Sequence, residues 1–196
     1  MTNDPFDPRE HVRRQLHAAG ATLALTGDRL NSELADAAKL CGDALASGHK
    51  VLLCGNGGSA ADAQHIAAEF VGRFLKDRRS LPSIALTTDT SAITAIANDY
   101  GYDKVFSRQI EGLGEAGDVL IAISTSGRSP NIIAAADQAR QQQIRVIACT
   151  GEAPSALAER ADVTLAVPSG YTPHIQQGHI TLLHVLCELV ERQLFG

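Results

Sequence analysis

The chain contains no tryptophan, and only 4% of its residues are aromatic. A stacking platform for bases or sugar rings is therefore not expected. Cysteine is sparse: Cys41, Cys54, Cys149 and Cys187 are scattered, and none forms a CxxC pair. That spacing supports neither a zinc knuckle nor a dithiol redox pair. The four lie in or beside apolar segments and read as buried thiols of a reducing cytoplasm. No run approaches the roughly 20 apolar residues of a membrane span. The opening MTNDPFDPREHVRR is polar and charged, without the apolar stretch of a secretory leader. A broad cationic field is missing too, since the formal net charge is −5 and the pI about 5.8. No nucleic-acid partner is expected, and a phosphate site would have to work through local dipoles. These absences point to a cytoplasmic protein that binds neither membrane nor nucleic acid.

A chain of 196 residues suits one domain. A domain of that size buries roughly 70% of its unfolded surface and needs no disulfide. Pro5 and Pro8 close a short tail, and two helices follow, Arg9 to about Thr26 and Leu30 to Ser47, broken near Gly27-Asp28. Leu34, Ala38, Cys41 and Leu45 share a face of the second. Strands are expected at 50–54, 83–87, 119–123, 145–149 and 163–167. Helices are expected between them at 60–75, 90–98, 105–113, 130–142 and 155–160. A last helix runs from Pro173 to about Leu194. Short apolar strands alternating with helices imply an α/β fold, a parallel sheet covered on both faces. There is no repeat and no linker. One domain therefore comprises N-terminal helices at about 9–47, a sheet core at about 50–168 and a C-terminal helix at about 173–194. That last helix is apolar nearly all round, which in a small domain suggests a subunit interface.

Two loops carry the clearest chemistry. CGNGGS, Cys54 to Ser59, and STSGRSPN, Ser124 to Asn131, each follow a strand and lead into a helix. Glycine lets such a loop approach a ligand closely, and the helix N-terminus beyond it attracts an anion. The second loop adds the hydroxyls of Ser124, Thr125, Ser126 and Ser129, and Pro130 suits the first helical position. In a parallel sheet both loops fall at the carboxyl ends of strands, where ligands bind. The first loop also fits G-x-G-x-x-A through Gly55, Gly57 and Ala60. Asp89, however, lies 34 residues after Gly55, too far for the acidic partner of a dinucleotide site.

His65 and Glu69 stand four residues apart on the helix that leaves the first loop, hence on one face. Such a pair can hold a divalent metal, act in acid/base chemistry or simply pair on the surface. On the last helix Gln176, His179 and His184 are polar in an apolar context. Gln176 and His184 lie about 80° apart around the helix and roughly 12 Å along it, so they do not easily meet at one point on a straight helix. Arg73, Lys76, Arg78 and Arg79 form a basic cluster. For the last three the expectation is a solvated turn that compensates a helix C-terminus.

CGNGGSAADAQHIAAEF, LTTDTSAITAIANDYGYDKVFSRQI, GDVLIAISTSGRSPNI and TPHIQQGHITLLHVLCELVERQLFG together resemble the sugar-isomerase (SIS) domain family. The resemblance covers nearly the whole chain and is weakest over the first 30 residues. It implies a Rossmann-like, five-stranded parallel sheet flanked by helices and a homotetramer with active sites at subunit interfaces. It also implies an aldose–ketose isomerase that converts sedoheptulose 7-phosphate to D-glycero-D-manno-heptose 7-phosphate for nucleotide-activated heptose. By the same resemblance Ser59, Ser124, Thr125, Ser126 and Ser129 hold the phosphate. Asn56, Gly57, Gly58, Arg73, Asn98, Asp99 and Gln176 contact substrate. Glu69 is the base and His184 the acid/base group. One zinc per subunit would be held by His65, Glu69, Gln176 and His184. The chain departs from the family pattern at Arg128, at Gln177 and in the turn Thr150-Gly151-Glu152-Ala153-Pro154, which lacks a glycine pair. A relative of another class, the DnaA initiator-associating protein, keeps the fold but lacks the carboxylate and the histidine that Glu69 and His184 match. Phosphosugar-sensing regulators carry a DNA-binding segment, which the short acidic N-terminus does not resemble.

Overall fold

Val51–Gly55 (β1), Ser83–Ala85 (β2), Val119–Ile123 (β3), Arg145–Gly151 (β4) and Val163–Val167 (β5) pair into one all-parallel sheet in the order β2-β1-β3-β4-β5. The computed structural model describes residues 6–152 and 154–196. The tail through Pro5, and Ala153 in the turn after β4, lie outside the described residues. Among the described residues six α-helices accompany the sheet: Pro8–Ala46 (α1), Gly58–Val71 (α2), Thr90–Tyr100 (α3), Ser107–Leu113 (α4), Pro130–Gln141 (α5) and Thr172–Phe195 (α6). Among the described residues no helix is long and apolar enough to cross a membrane.

Alternation along the strands divides the core. Val51, Leu53, Val119, Ile121 and Ile123 face a layer made by α1, α2 and α6, with Leu45, Ile66, Phe70, Leu183 and Leu186. Leu52, Cys54, Leu120 and Ala122 face the other layer, with Ile110, Ile132 and Ala136 of α4 and α5. Because both faces are covered, the central strands are apolar throughout and every residue of β1 and β3 is buried.

The expected helix pair at the N-terminus is a single helix of 39 residues. It begins at Pro8, not after it. The Asp7 carboxylate accepts from the Arg9 N–H at 2.9 Å, and proline at the first position loses no bond. The expected break at Gly27-Asp28 does not occur. An interior glycine costs about 1 kcal/mol, whereas each Leu fully buried along the stripe Leu30, Leu34 and Leu45 contributes about 1.5–3 kcal/mol. Tertiary packing overrides the local signal. Three helices are shorter than the sequence pattern suggests. α2 stops at Val71 instead of 75, α4 starts at Ser107 instead of 105, and only Ala158–Arg160 of the expected 155–160 helix is helical, as a 3₁₀ turn.

The apolar circumference of α6 is spent largely within the chain. Ile175, Leu182, Leu183, Leu186, Cys187 and Val190 are buried, against α1, α2 and the sheet, while Val185 stays exposed. The four cysteines are free and buried. Burial pushes the thiols of Cys54, Cys149 and Cys187 up to about 12 and that of Cys41 higher still, so they are inert.

Candidate active site

The strand order reverses direction between β1 and β3, and the loops leaving those two neighbouring strands are the two glycine/serine loops. A ligand in such a sheet sits at this switch point. Gly57, at φ 56°, takes the left-handed conformation that turns the chain into α2, and Ser59 is buried in the first turn. A Cβ at Gly58 would meet the amide end of the Gln176 side chain, which would have to shift to admit it. The start of α6 is thus pressed onto the start of α2. In the second loop the hydroxyls of Ser124 and Ser129 lie 3.2 Å apart, and the Arg128 N–H donates to Ser126 Oγ at 3.2 Å. The Gly151 N–H donates to the Thr125 carbonyl at 3.0 Å, so the end of β4 braces the loop.

The two loops are joined to each other. Asn56 and Asn131 exchange side-chain amide hydrogen bonds, each 2.9 Å, and Tyr102 Oη donates to Asn56 Oδ1 at 3.2 Å. Asn56 was expected to contact substrate, and its side chain is here engaged with Asn131. Asn131 was not singled out from the sequence. Only its place directly after Pro130 in a phosphate-type loop could have suggested it.

A cavity of about 440 Å³ opens beside the second loop, lined by Thr125, Ser126, Arg128, Gly151, Glu152 and the chain entering α6. Glu152 pairs with Arg29 of α1 at 2.9 Å on the exposed surface. Asn98 and Asp99 are not brought to either loop. They are exposed at the end of α3, Asn98 donates to Asp99 at 2.8 Å, and Asp99 lines a different cavity of about 530 Å³ with Thr88, Ile96, Arg108 and Gln109. Asp89 caps α3, accepting from the Ala92 N–H at 2.9 Å, a structural role consistent with its wrong spacing for a dinucleotide.

His65 and Glu69 lie roughly 9 and 15 Å beyond Ser59 along α2. There His65 Nε2 is 2.9 Å from His184 Nε2 of α6 and 3.4 Å from Glu69 Oε1. The cluster is open, with the side chain of His65 50% and that of Glu69 22% exposed, and neither cavity above reaches it. Phe74 stacks on the His184 ring with centroids 5.6 Å apart and planes at 19°. Asp62, one turn before His65, is a further member that the sequence reading did not single out. Burial raises its carboxyl, against the opposing pull of His65 and His184. Gln176 stays two turns away at Gly58, as its helical offset from His184 requires.

Among the described residues no three His, Cys, Asp or Glu side chains already face one point as a finished metal cage. The two imidazoles share a hydrogen bond instead. By donor chemistry the imidazoles of His65 and His184 and the carboxylate of Glu69 are nitrogen and oxygen ligands of the kind zinc takes.

Arg73 is exposed on the turn after α2. Of the other basic residues there, Arg78 corrects the expectation of a solvated turn. Arg78 does serve the helix C-terminus, but as a buried group, its side chain only 2% exposed and ion-paired at 2.9 Å with Glu191 of α6. Three N–H groups and four carbonyls of α2 and the turn after it converge on this pair only once the fold is formed, which charge patterning along the chain does not reveal.

Fold and loops together define the class, an α/β protein with paired glycine/serine loops at the switch point of an all-parallel five-stranded sheet. The SIS domain family matches over residues 16–151. A phosphoheptose isomerase of Burkholderia pseudomallei is 54% identical over 172 residues, 88% of this chain and 87% of the relative. One from Geotalea daltonii is 49% identical over 187 residues, 95% of this chain and 97% of the relative. The solved phosphoheptose isomerase of Neisseria gonorrhoeae superposes with a TM-score of 0.90 at 43% identity, covering 95% of this chain and 100% of that one. This chain belongs to the SIS domain family and, within it, to the phosphoheptose isomerases.

Proposed function

We propose that the protein interconverts sedoheptulose 7-phosphate and D-glycero-D-manno-heptose 7-phosphate. The observation that carries this reading is the cluster in which His65 Nε2 lies 3.4 Å from Glu69 Oε1 on its own helix and 2.9 Å from His184 Nε2, 119 residues further along the chain. It stands along α2 from the phosphate-type loops. A sugar phosphate gripped at one end by Ser59, Ser124, Thr125, Ser126 and Ser129 needs its chemistry at the other end.

Ketose-to-aldose conversion moves one proton from C1 to C2 and another from O1 to O2. Glu69 takes the C1 proton and returns it at C2. His184 shuttles the proton between the oxygens. General acid–base catalysis of this kind contributes typically ~10²–10⁴-fold per group. Asn56, Gly57, Gly58, Arg73 and Gln176 complete the substrate contacts, joined by Asn98 and Asp99 from a neighbouring subunit. His65, Glu69 and His184 would hold one zinc per subunit, with Gln176, two turns off within its own chain, supplied by a neighbouring subunit, and when bound the ion would polarise the substrate carbonyl.

A homotetramer is part of the same reading. The open acid/base cluster, the exposed position of Asn98 and Asp99, and uncovered apolar residues such as Leu16, 67% exposed on α1, support completion of the site by a neighbouring subunit. Four buried free thiols support a reducing, cytoplasmic setting. The test is direct. Protein is incubated with sedoheptulose 7-phosphate, with and without added zinc, and aldose formation is followed by NMR. Aldose signals should grow in, and their absence under both conditions would remove the reading.

A further inference from the structure

The turn after α2 wraps a buried ion pair that the acid/base chemistry does not use. Glu191 of α6 accepts from the N–H groups of Phe74 at 2.9 Å, Leu75 at 2.9 Å and Lys76 at 3.0 Å, and from Arg78 Nε at 2.9 Å. Arg78 also donates to the carbonyls of Glu69 at 2.8 Å, Phe70 at 2.8 Å, Gly72 at 3.3 Å and Arg79 at 3.0 Å. Both side chains are 2% exposed. Burial works against the Glu191 charge, but the three N–H groups and Arg78 outweigh it and hold the carboxyl below its ordinary value.

What this pair touches is informative. It grips the main chain of Glu69 itself. It fixes Phe74, whose ring lies on His184. Glu191 is also seven residues after His184 on α6, two turns on and on the same face. The pair therefore ties the helix that carries Glu69 to the helix that carries His184, and sets the wall against which the imidazole stands. A buried ion pair is an inefficient stabiliser compared with apolar residues of similar volume. Placement is what apolar residues could not reproduce, because they offer nothing to three N–H groups and four carbonyls.

We propose that Arg78 and Glu191 are positioning residues that set the spacing of Glu69 and His184 for isomerisation, an inference that rests on the functional reading above. In Glu191→Gln, kcat should fall at least ~10-fold, since a displacement of about 1 Å can cost that much or more. Competitive inhibition by inorganic phosphate should stay within about twofold of wild type, because the phosphate loops are untouched. A folded Glu191→Gln protein with wild-type kcat overturns the proposal. Should that variant fail to fold, the double replacement Arg78→Met/Glu191→Leu separates the cases. It restores an apolar core without the anchoring bonds, so a low kcat at near-wild-type melting temperature supports positioning, and a wild-type kcat overturns it. A wild-type protein that does not isomerise the sugar phosphate fails the functional reading, not the clasp. Hydrogen exchange then decides. Selective loss of protection at residues 74–76 in Glu191→Gln supports the clasp, and unchanged exchange there refutes it.

Discussion

Asn131 shows how much of this site depends on single side chains. It is 2% exposed, and its amide pairs with Asn56 to lock the two phosphate-type loops together. Truncation in Asn131→Ala leaves the Asn56 amide short of partners, at a cost of about 1–3 kcal/mol. The expected outcome is a lower melting temperature and a KM for sugar phosphate raised several-fold, with kcat less affected. Steady-state kinetics with a parallel thermal melt checks this, and an unchanged KM would mean that the loops hold their places independently. Arg78 makes the same point from the other side, because its local pattern reads as a solvated turn and its buried partner Glu191 lies far off in sequence.

The secondary elements were far more legible than these contacts. β3 and β5 span the same residues that hydrophobic runs marked, and the paired loops stood out because glycine and serine clusters punctuate strand ends. The long α1 was not legible, because its continuity is decided by packing on α6 and not by the residues at the expected break. Gly27 lies mid-helix with nothing within 4 Å of an added Cβ and no left-handed φ. Gly27→Ala should therefore stabilise the protein by up to about 1 kcal/mol. A urea titration checks it, and destabilisation would mean that α1 hinges there after all.

The other interior test at this scale is His179 of α6, fully buried, with Nε2 3.0 Å from the Thr150 carbonyl at the end of β4. Burial lowers its pKa from 6.5 to about 4, against the raising effect of that bond. The unfolded chain therefore takes up the proton first as pH falls. The stability tied to neutral His179 is intact above about pH 6.5 and is lost on the way down to about pH 4, amounting to about 3 kcal/mol. Unfolding at pH 7 and pH 4.5 should show a clearly smaller loss in His179→Gln than in wild type, and equal losses would refute the assignment.

As a whole molecule, one chain supplies both phosphate-type loops and the acid/base cluster, yet leaves that cluster open to solvent. Sedimentation at micromolar concentration should give a tetramer, and a clean monomer would contradict shared sites. The central claim is that Glu69 moves a carbon-bound proton, and the sharpest test of it compares wild type with Glu69→Gln in deuterated water. The substitution keeps size and most hydrogen bonds but cannot accept that proton. With sedoheptulose 7-phosphate as substrate and metal content measured in both proteins, turnover and deuterium entry at C1 or C2 should both fall by at least ~10²-fold in the variant. A metal-replete Glu69→Gln protein that turns over and exchanges that hydrogen at the wild-type rate would contradict the account.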